Sequence, residues 1–114
     1  MTHWMFAGLE KGVSNEYLFD TPEKVLSMIC TALEIEPELI KSNCRKLECI
    51  IPRQLYCYFA RMMTVASFEE IGKVINKSHS NVLQACRKVK NNIEAKDKVT
   101  IYYFEIIEML ISCK

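Results

Sequence analysis

The sequence predicts an all-α fold built around a helix-turn-helix, and three observations carry that reading. Apolar residues recur at helical spacing in segment after segment. No stretch alternates apolar and polar residues as a half-buried strand would, and three glycines in 114 residues leave few sites for tight hairpins. Residues Ser67 to Val89, SFEEIGKVINKSHSNVLQACRKV, join two helical patterns through a three-residue polar break.

The elements follow in order along the chain. Residues 1–20 read as an N-terminal arm without a clear period, yet Trp4, Met5, Phe6, Tyr17 and Phe19 make it too apolar for a plain linker. It suits docking, either on the domain of residues 21–114 or on a partner, including a second copy. Thr21 followed by Pro22 is a strong helix start, because proline lacks only an N–H that the first turn leaves unpaired. Val25, Leu26, Met28, Ile29, Ala32 and Leu33 give this helix its buried face. A short second helix is expected near Pro37 in EPELIKS, and KSNCRK, Lys41 to Lys46, forms a basic connector. Pro52 is expected to open the longest helix, with Leu55, Tyr58, Phe59 and Met62 at core spacing. That start would place Arg53 and Gln54 in a first turn, where free backbone N–H groups help seat a phosphate.

In the next helix Ser67 and Glu70 stand at capping-box spacing, ahead of Phe68, Ile71, Val74 and Ile75. Asn76-Lys77-Ser78 breaks the pattern. Ser78 or Ser80 can cap the following helix, which buries Val82, Leu83, Ala85, Cys86 and Val89. His79, Ser80, Asn81, Gln84, Arg87 and Lys88 are left on a more exposed face, with small donors and acceptors in front and cations behind. Such an order suits base edges and phosphates respectively. The last helix should run from about Asp97 to Ile111, turning Tyr103, Phe104, Ile107, Leu110 and Ile111 inward.

The net charge of +1 hides a segregation. Residues 1–40 carry two lysines against seven acids, whereas residues 41–90 carry ten Lys or Arg against three acids. A basic middle in a nearly neutral chain points to a polyanion meeting one face. Residues 1–12 lack the charged head and apolar stretch of a signal peptide, and no apolar run reaches about 18 residues, so a cytoplasmic location without a membrane span is expected. The six cysteines fall largely among aliphatic residues and read as reduced packing groups. Cys44, Cys49 and Cys57 are the only cluster, but no CxxC pair occurs and His3 and His79 do not stand at finger spacing, so neither metal nor cofactor is expected. No carboxylate pair or nucleophile with a base stands out, which argues against an enzyme.

Two blocks together resemble the C-terminal DNA-binding domain of the bacterial replication initiator DnaA, a helical domain akin in architecture to the Trp repressor. The likeness runs from about Thr21 to Met109. One block is KSNCRKLECIIPRQLYCYFAR, which resembles the family's basic loop and the helix opening on Arg-Gln. The other, EIGKVINKSHSNVLQACRKV, is similar to the family's EIG helix, its glycine-rich turn, and Asp-His-Thr-Thr-Val leading into a leucine, an alanine and basic residues.

The resemblance implies double-stranded DNA as partner and a role in replication or its regulation. It assigns Arg45, beside Lys46, to the minor groove, and Arg53 and Gln54 to phosphates. Ser78, His79, Ser80 and Asn81 would read the major groove, with Gln84 and Lys88 facing the backbone, and Lys77 and Arg61 add cations to the same blocks. Two departures stand out. The turn is about one residue shorter and lacks paired glycines, so Asn76 should supply the left-handed position. Ser78 stands where the family has aspartate; a carboxylate accepts from a cytosine amino group, whereas a serine donates or accepts and reads less strictly. The family's ATPase phosphate loop, GxxxxGKS or GxxxxGKT, is absent from the sequence. The expected protein is thus the initiator's reading head by itself, its box recognition altered; the alternative is a protein-interaction module that keeps the fold but has lost operator binding.

Overall fold

The structure, a computed structural model, describes Phe19 and residues 21–112, with side chains through 111. The expected arm therefore lies almost wholly outside the described residues. Six α-helices and no strand occur among those described: α1 (Pro22–Leu33), α2 (Pro37–Lys41), α3 (Leu47–Met63), α4 (Phe68–Val74), α5 (His79–Glu94) and α6 (Lys98–Ser112). The all-α expectation holds, and no described helix is long and apolar enough to cross a membrane.

The middle helix, α3, touches the other five. Leu55, Tyr56, Phe59, Ala60 and Met63 lose all their exposure there, so it is buried on nearly every side. At the α1 start the Thr21 hydroxyl accepts from the Lys24 N–H at 3.4 Å, as the Thr-Pro signal anticipates. Phe104 of α6 lies against Phe59 with ring centroids 5.1 Å apart, closing the core on the side of the last helix.

One expectation fails, at the front of α3. The helix begins at Leu47, five residues ahead of Pro52, and carries the proline inside it. Lys46 caps the helix with its carbonyl, which accepts from the N–H groups of Cys49 (2.8 Å) and Ile50 (2.9 Å). An internal proline costs about 3 kcal/mol. Burying Cys49 and Ile51 to 1% and 5% exposure offsets most of that. The carbonyl left without its proline partner belongs to Glu48, an exposed residue that water can reach. Arg53 and Gln54 therefore sit in the second turn, beyond the free first-turn amides.

The helix-turn-helix forms as its sequence signals require. The Ser67 hydroxyl accepts from the Glu70 N–H at 3.2 Å and the Glu70 carboxylate from the Ser67 N–H at 2.8 Å. The far end of α4 closes in a Schellman turn: the Lys77 N–H donates to the Gly72 carbonyl (2.9 Å) and the Asn76 N–H to that of Lys73 (3.3 Å). Asn76 takes the left-handed backbone, φ 62°, that the missing glycines would have supplied. Gly72 is held by space: a Cβ there would strike the Lys77 carbonyl oxygen and come within 3.2 Å of Val82 Cγ2. The Tyr56 hydroxyl then donates to the Ile71 carbonyl at 2.8 Å within the core, fastening α4 to α3.

Two stability predictions follow from this packing. Gly72→Ala should lower unfolding free energy by about 2 kcal/mol in urea denaturation, because the obstacle is backbone and cannot rotate away. Glu108 is 5% exposed, and neither of its carboxylate oxygens has a hydrogen-bond partner among the described residues. Burial, with the Glu105 charge adding, pushes its carboxyl up to about 7. A folded-state value above the unfolded one means stability present at low pH is lost as pH rises from about 4.5 through about 7. Thermal melts across that window should show the decline, and Glu108→Gln should flatten it.

Candidate nucleic-acid interface

The second helix of the helix-turn-helix begins at the Ser78 cap, whose hydroxyl accepts from the Asn81 N–H at 3.3 Å. Val82 and Val89 are the fully buried residues of α5, and Leu83, Ala85, Cys86 and Ile93 flank them half-buried. At 100° per residue, Ser80, Asn81, Gln84, Arg87, Lys88 and Asn91 then share the opposite side, and all six are exposed. His79 is exposed at the first helical position, nearer the edge of that side.

The basic loop between α2 and α3 is held from two directions. The Arg53 guanidinium donates from Nε to the Ile40 carbonyl at 2.8 Å, and from Nη2 to the carbonyls of Ser42 (2.9 Å), Cys44 (3.0 Å) and Leu39 (3.4 Å). Those carbonyls include the end of α2, where a cation also suits the helix dipole. From the other side, Lys77 Nζ donates to the Ser42 carbonyl and to Asn43 Oδ1, both at 3.1 Å. Lys77 belongs to the Schellman turn, so the loop and the helix-turn-helix are tied directly. Arg45 and Lys46 remain exposed on the loop.

An open groove of about 380 Å³ runs between α3 and α5. Arg53, Gln54, Lys77, Asn81, Gln84 and Lys88 line it, with Ile50, Cys57, Ile75 and Ala85 as its apolar floor. Six of the twelve residues singled out in the sequence thus meet in one concavity. Ser78, His79 and Ser80 stand exposed at the front of α5. Arg61 does not line the groove. It lies eight residues further along α3, its guanidinium 4.8 Å from the centroid of the Phe68 ring, a cation–π contact that joins α3 to α4.

A family model described as "Bacterial dnaA protein helix-turn-helix" matches residues 22–89, well over half of the chain. The chain belongs to this family. Among its curated relatives is the chromosomal replication initiator protein DnaA of Bacteroides thetaiotaomicron, 36% identical over 103 residues. The match takes in 90% of this chain and 22% of that protein. DnaA of Bacteroides fragilis is 36% identical over 92 residues, covering 80% and 19% of the two chains. DnaA of Thermus thermophilus is 33% identical over 79 residues, covering 68% and 18%. The chain thus spans about a fifth of the length of these relatives. The matched segment contains α1 to α4 and α5 through Val89, which includes the basic loop and the whole groove.

Asn43 and Ser42 are the residues that sequence reading passed over. Their signal was only the polar pair inside KSNCRK, which names no partner, and the partner, Lys77, stands 34 residues away from Asn43. Arg53→Ala should leave the carbonyls of Ile40 and Cys44 without their charged donor, and that of Ser42 with Lys77 alone, and cost about 2 kcal/mol in urea unfolding. Amide hydrogen exchange should quicken at residues 42–46 well before it does in α3. Arg53→Lys should fall between the two, since an ammonium cannot reproduce the planar fork.

Proposed function

We propose that the chain binds double-stranded DNA sequence-specifically, as the reading head of a DnaA-type initiator, and serves replication or its regulation. The observation that carries this is the groove itself. It sets Asn81, Gln84 and Lys88 of α5 beside Gln54, and two more of its lining residues, Arg53 and Lys77, hold the loop that carries the exposed Arg45 and Lys46. A recognition helix of this kind enters the major groove by its N-terminal end, which here presents Ser78, His79, Ser80 and Asn81. Gln84, Lys88 and Gln54 flank it as phosphate contacts. Arg45 and Lys46 extend the surface to the neighbouring minor groove, where a basic side chain is drawn by the negative potential of A·T-rich sequence.

Arg53 serves this interface chiefly as a positioning residue. Its Nε and Nη2 are taken by four carbonyls, so it acts on DNA by fixing the loop that bears Arg45. Ser78 has a similar double duty. Its oxygen accepts from Asn81, which leaves the hydroxyl proton for an acceptor such as the O4 of thymine or the O6 and N7 of guanine. An aspartate at this place would accept a cytosine amino group instead, so the base preferred opposite Ser78 differs from that of members carrying aspartate.

Selection from random duplexes, followed by titration at several salt concentrations, tests the proposal. Affinity should fall steeply with salt, and Lys88→Ala should reduce the slope of log K against log salt by about 0.9 while weakening all duplexes alike. Ser80→Ala and Asn81→Ala should alter the ranking among sequences. Ser78→Asp, which retains a good cap, should bring cytosine into the selected site. Equal losses on every duplex for all these variants would remove the base-reading assignment.

A further inference from the structure

We propose that Lys77 and Asn43 form a strut that fixes the separation of the two DNA-reading parts, and so sets the spacing a binding site must have between its major-groove and minor-groove segments. The spacing role deepens the function proposed above and rests on it; the strut itself does not.

Each end of the strut is tied close to a reader. Lys77 lies in the Schellman turn, where its N–H donates to the Gly72 carbonyl at 2.9 Å and its own carbonyl oxygen fills the space that a Cβ on Gly72 would need. Its backbone is thereby fixed directly ahead of Ser78, the cap of α5. At the other end, Asn43 precedes Arg45 in the loop with only Cys44 between them. Lys77 Nζ donates to Asn43 Oδ1 and to the Ser42 carbonyl, both at 3.1 Å. Arg53 Nη2 reaches the same Ser42 carbonyl at 2.9 Å, so cations from the turn and from α3 meet on one oxygen, an acceptor with two lone pairs.

The two cations divide the work. Arg53 clasps carbonyls of α2 and the loop, which holds the loop to α3. Lys77 instead reaches the loop from the helix-turn-helix, across 34 residues of sequence. Asn43 is exposed and offers its amide oxygen to that lysine, so truncating it leaves the core and the Arg53 clasp in place. What the amide contributes is position: with the strut made, Arg45 and the Ser78 to Asn81 front act as one body.

A braced pair of readers senses spacing as well as sequence. One added base pair displaces one segment of a site from the other by about 3.4 Å and turns it by about 35°. A loop free to follow would absorb part of that shift; a braced loop cannot, and one set of contacts is lost. Bracing also spares the cost of ordering the loop at the moment of binding.

The test takes the site that the full chain selects from random duplexes. One base pair is inserted or removed between the positions whose preference responds to Asn81→Ala and those that respond to Arg45→Ala. For the intact chain either change should cost about tenfold in affinity, comparable to one mismatched base pair. Asn43→Ala and Lys77→Met should each shrink that penalty to about threefold, since an exposed charged contact is worth about a factor of three. The double variant should shrink it no further, because both changes cut one strut. Asn43→Asp, which keeps an acceptor for the ammonium, should retain the full penalty. Lys77→Met leaves the loop sequence untouched and should quicken amide exchange at Cys44, whose N–H is held by Ser42 Oγ at 3.2 Å.

An undiminished penalty in Asn43→Ala and Lys77→Met overturns the proposal, as does an intact chain that tolerates the altered spacing; DNA binding stands in both cases. A site whose positions all respond to one reader also overturns it. Unchanged exchange at Cys44 removes the strut. If the full chain selects no duplex, the function proposed above falls and takes the spacing role with it, and the exchange at Cys44 then decides the strut by itself.

Discussion

The guanidinium of Arg53 holds the carbonyls at the end of α2 and those of the basic loop against α3. A single planar cation therefore gathers acceptors that would otherwise need water, and it does so half-buried, where a charged hydrogen bond is stronger than at the surface. The rest of the interface depends on that anchoring. Lys77 repeats the tactic from the opposite side, so the loop is suspended between the long helix and the helix-turn-helix. Both cations are largely spent on making a surface, while Arg45, Lys46, Arg87 and Lys88 stand exposed.

Local chemistry was the legible part of the fold. Thr21-Pro22, the Ser67–Glu70 box and Asn76 in its left-handed turn are short-range arrangements, and each reads directly from neighbouring residues. Pro52 misled because the rule that places proline at a helix start weighs one backbone bond. The burial of Cys49 and Ile51 offsets most of the cost of losing it, and that burial exists only in three dimensions. Arg61 and Arg53 illustrate the same limit at the site. As letters both are cations in a basic block, yet one lies over Phe68 and the other is clasped by carbonyls from 9 to 14 residues away. Charge segregation marked out the basic segment but could not apportion its members between scaffold and exposed surface.

The family relationship and the groove support one another without being the same argument. The match over residues 22–89 concerns descent, whereas the groove concerns what the surface can now do. At the turn the structure shows how this sequence meets two local demands: Asn76 adopts the left-handed backbone, and the Ser78 hydroxyl caps the helix.

The two buried valines of α5 have an evolutionary consequence. Val82 and Val89 seat the helix, while the residues that project from its other side take almost no part in the core. Substitutions on that outer side are accordingly close to neutral for folding, usually within about 0.5 kcal/mol. A lineage can therefore drift to a new binding site one exposed residue at a time, with the scaffold intact at every step. The same fold can in this way diverge in what it reads without passing through an unfolded ancestor.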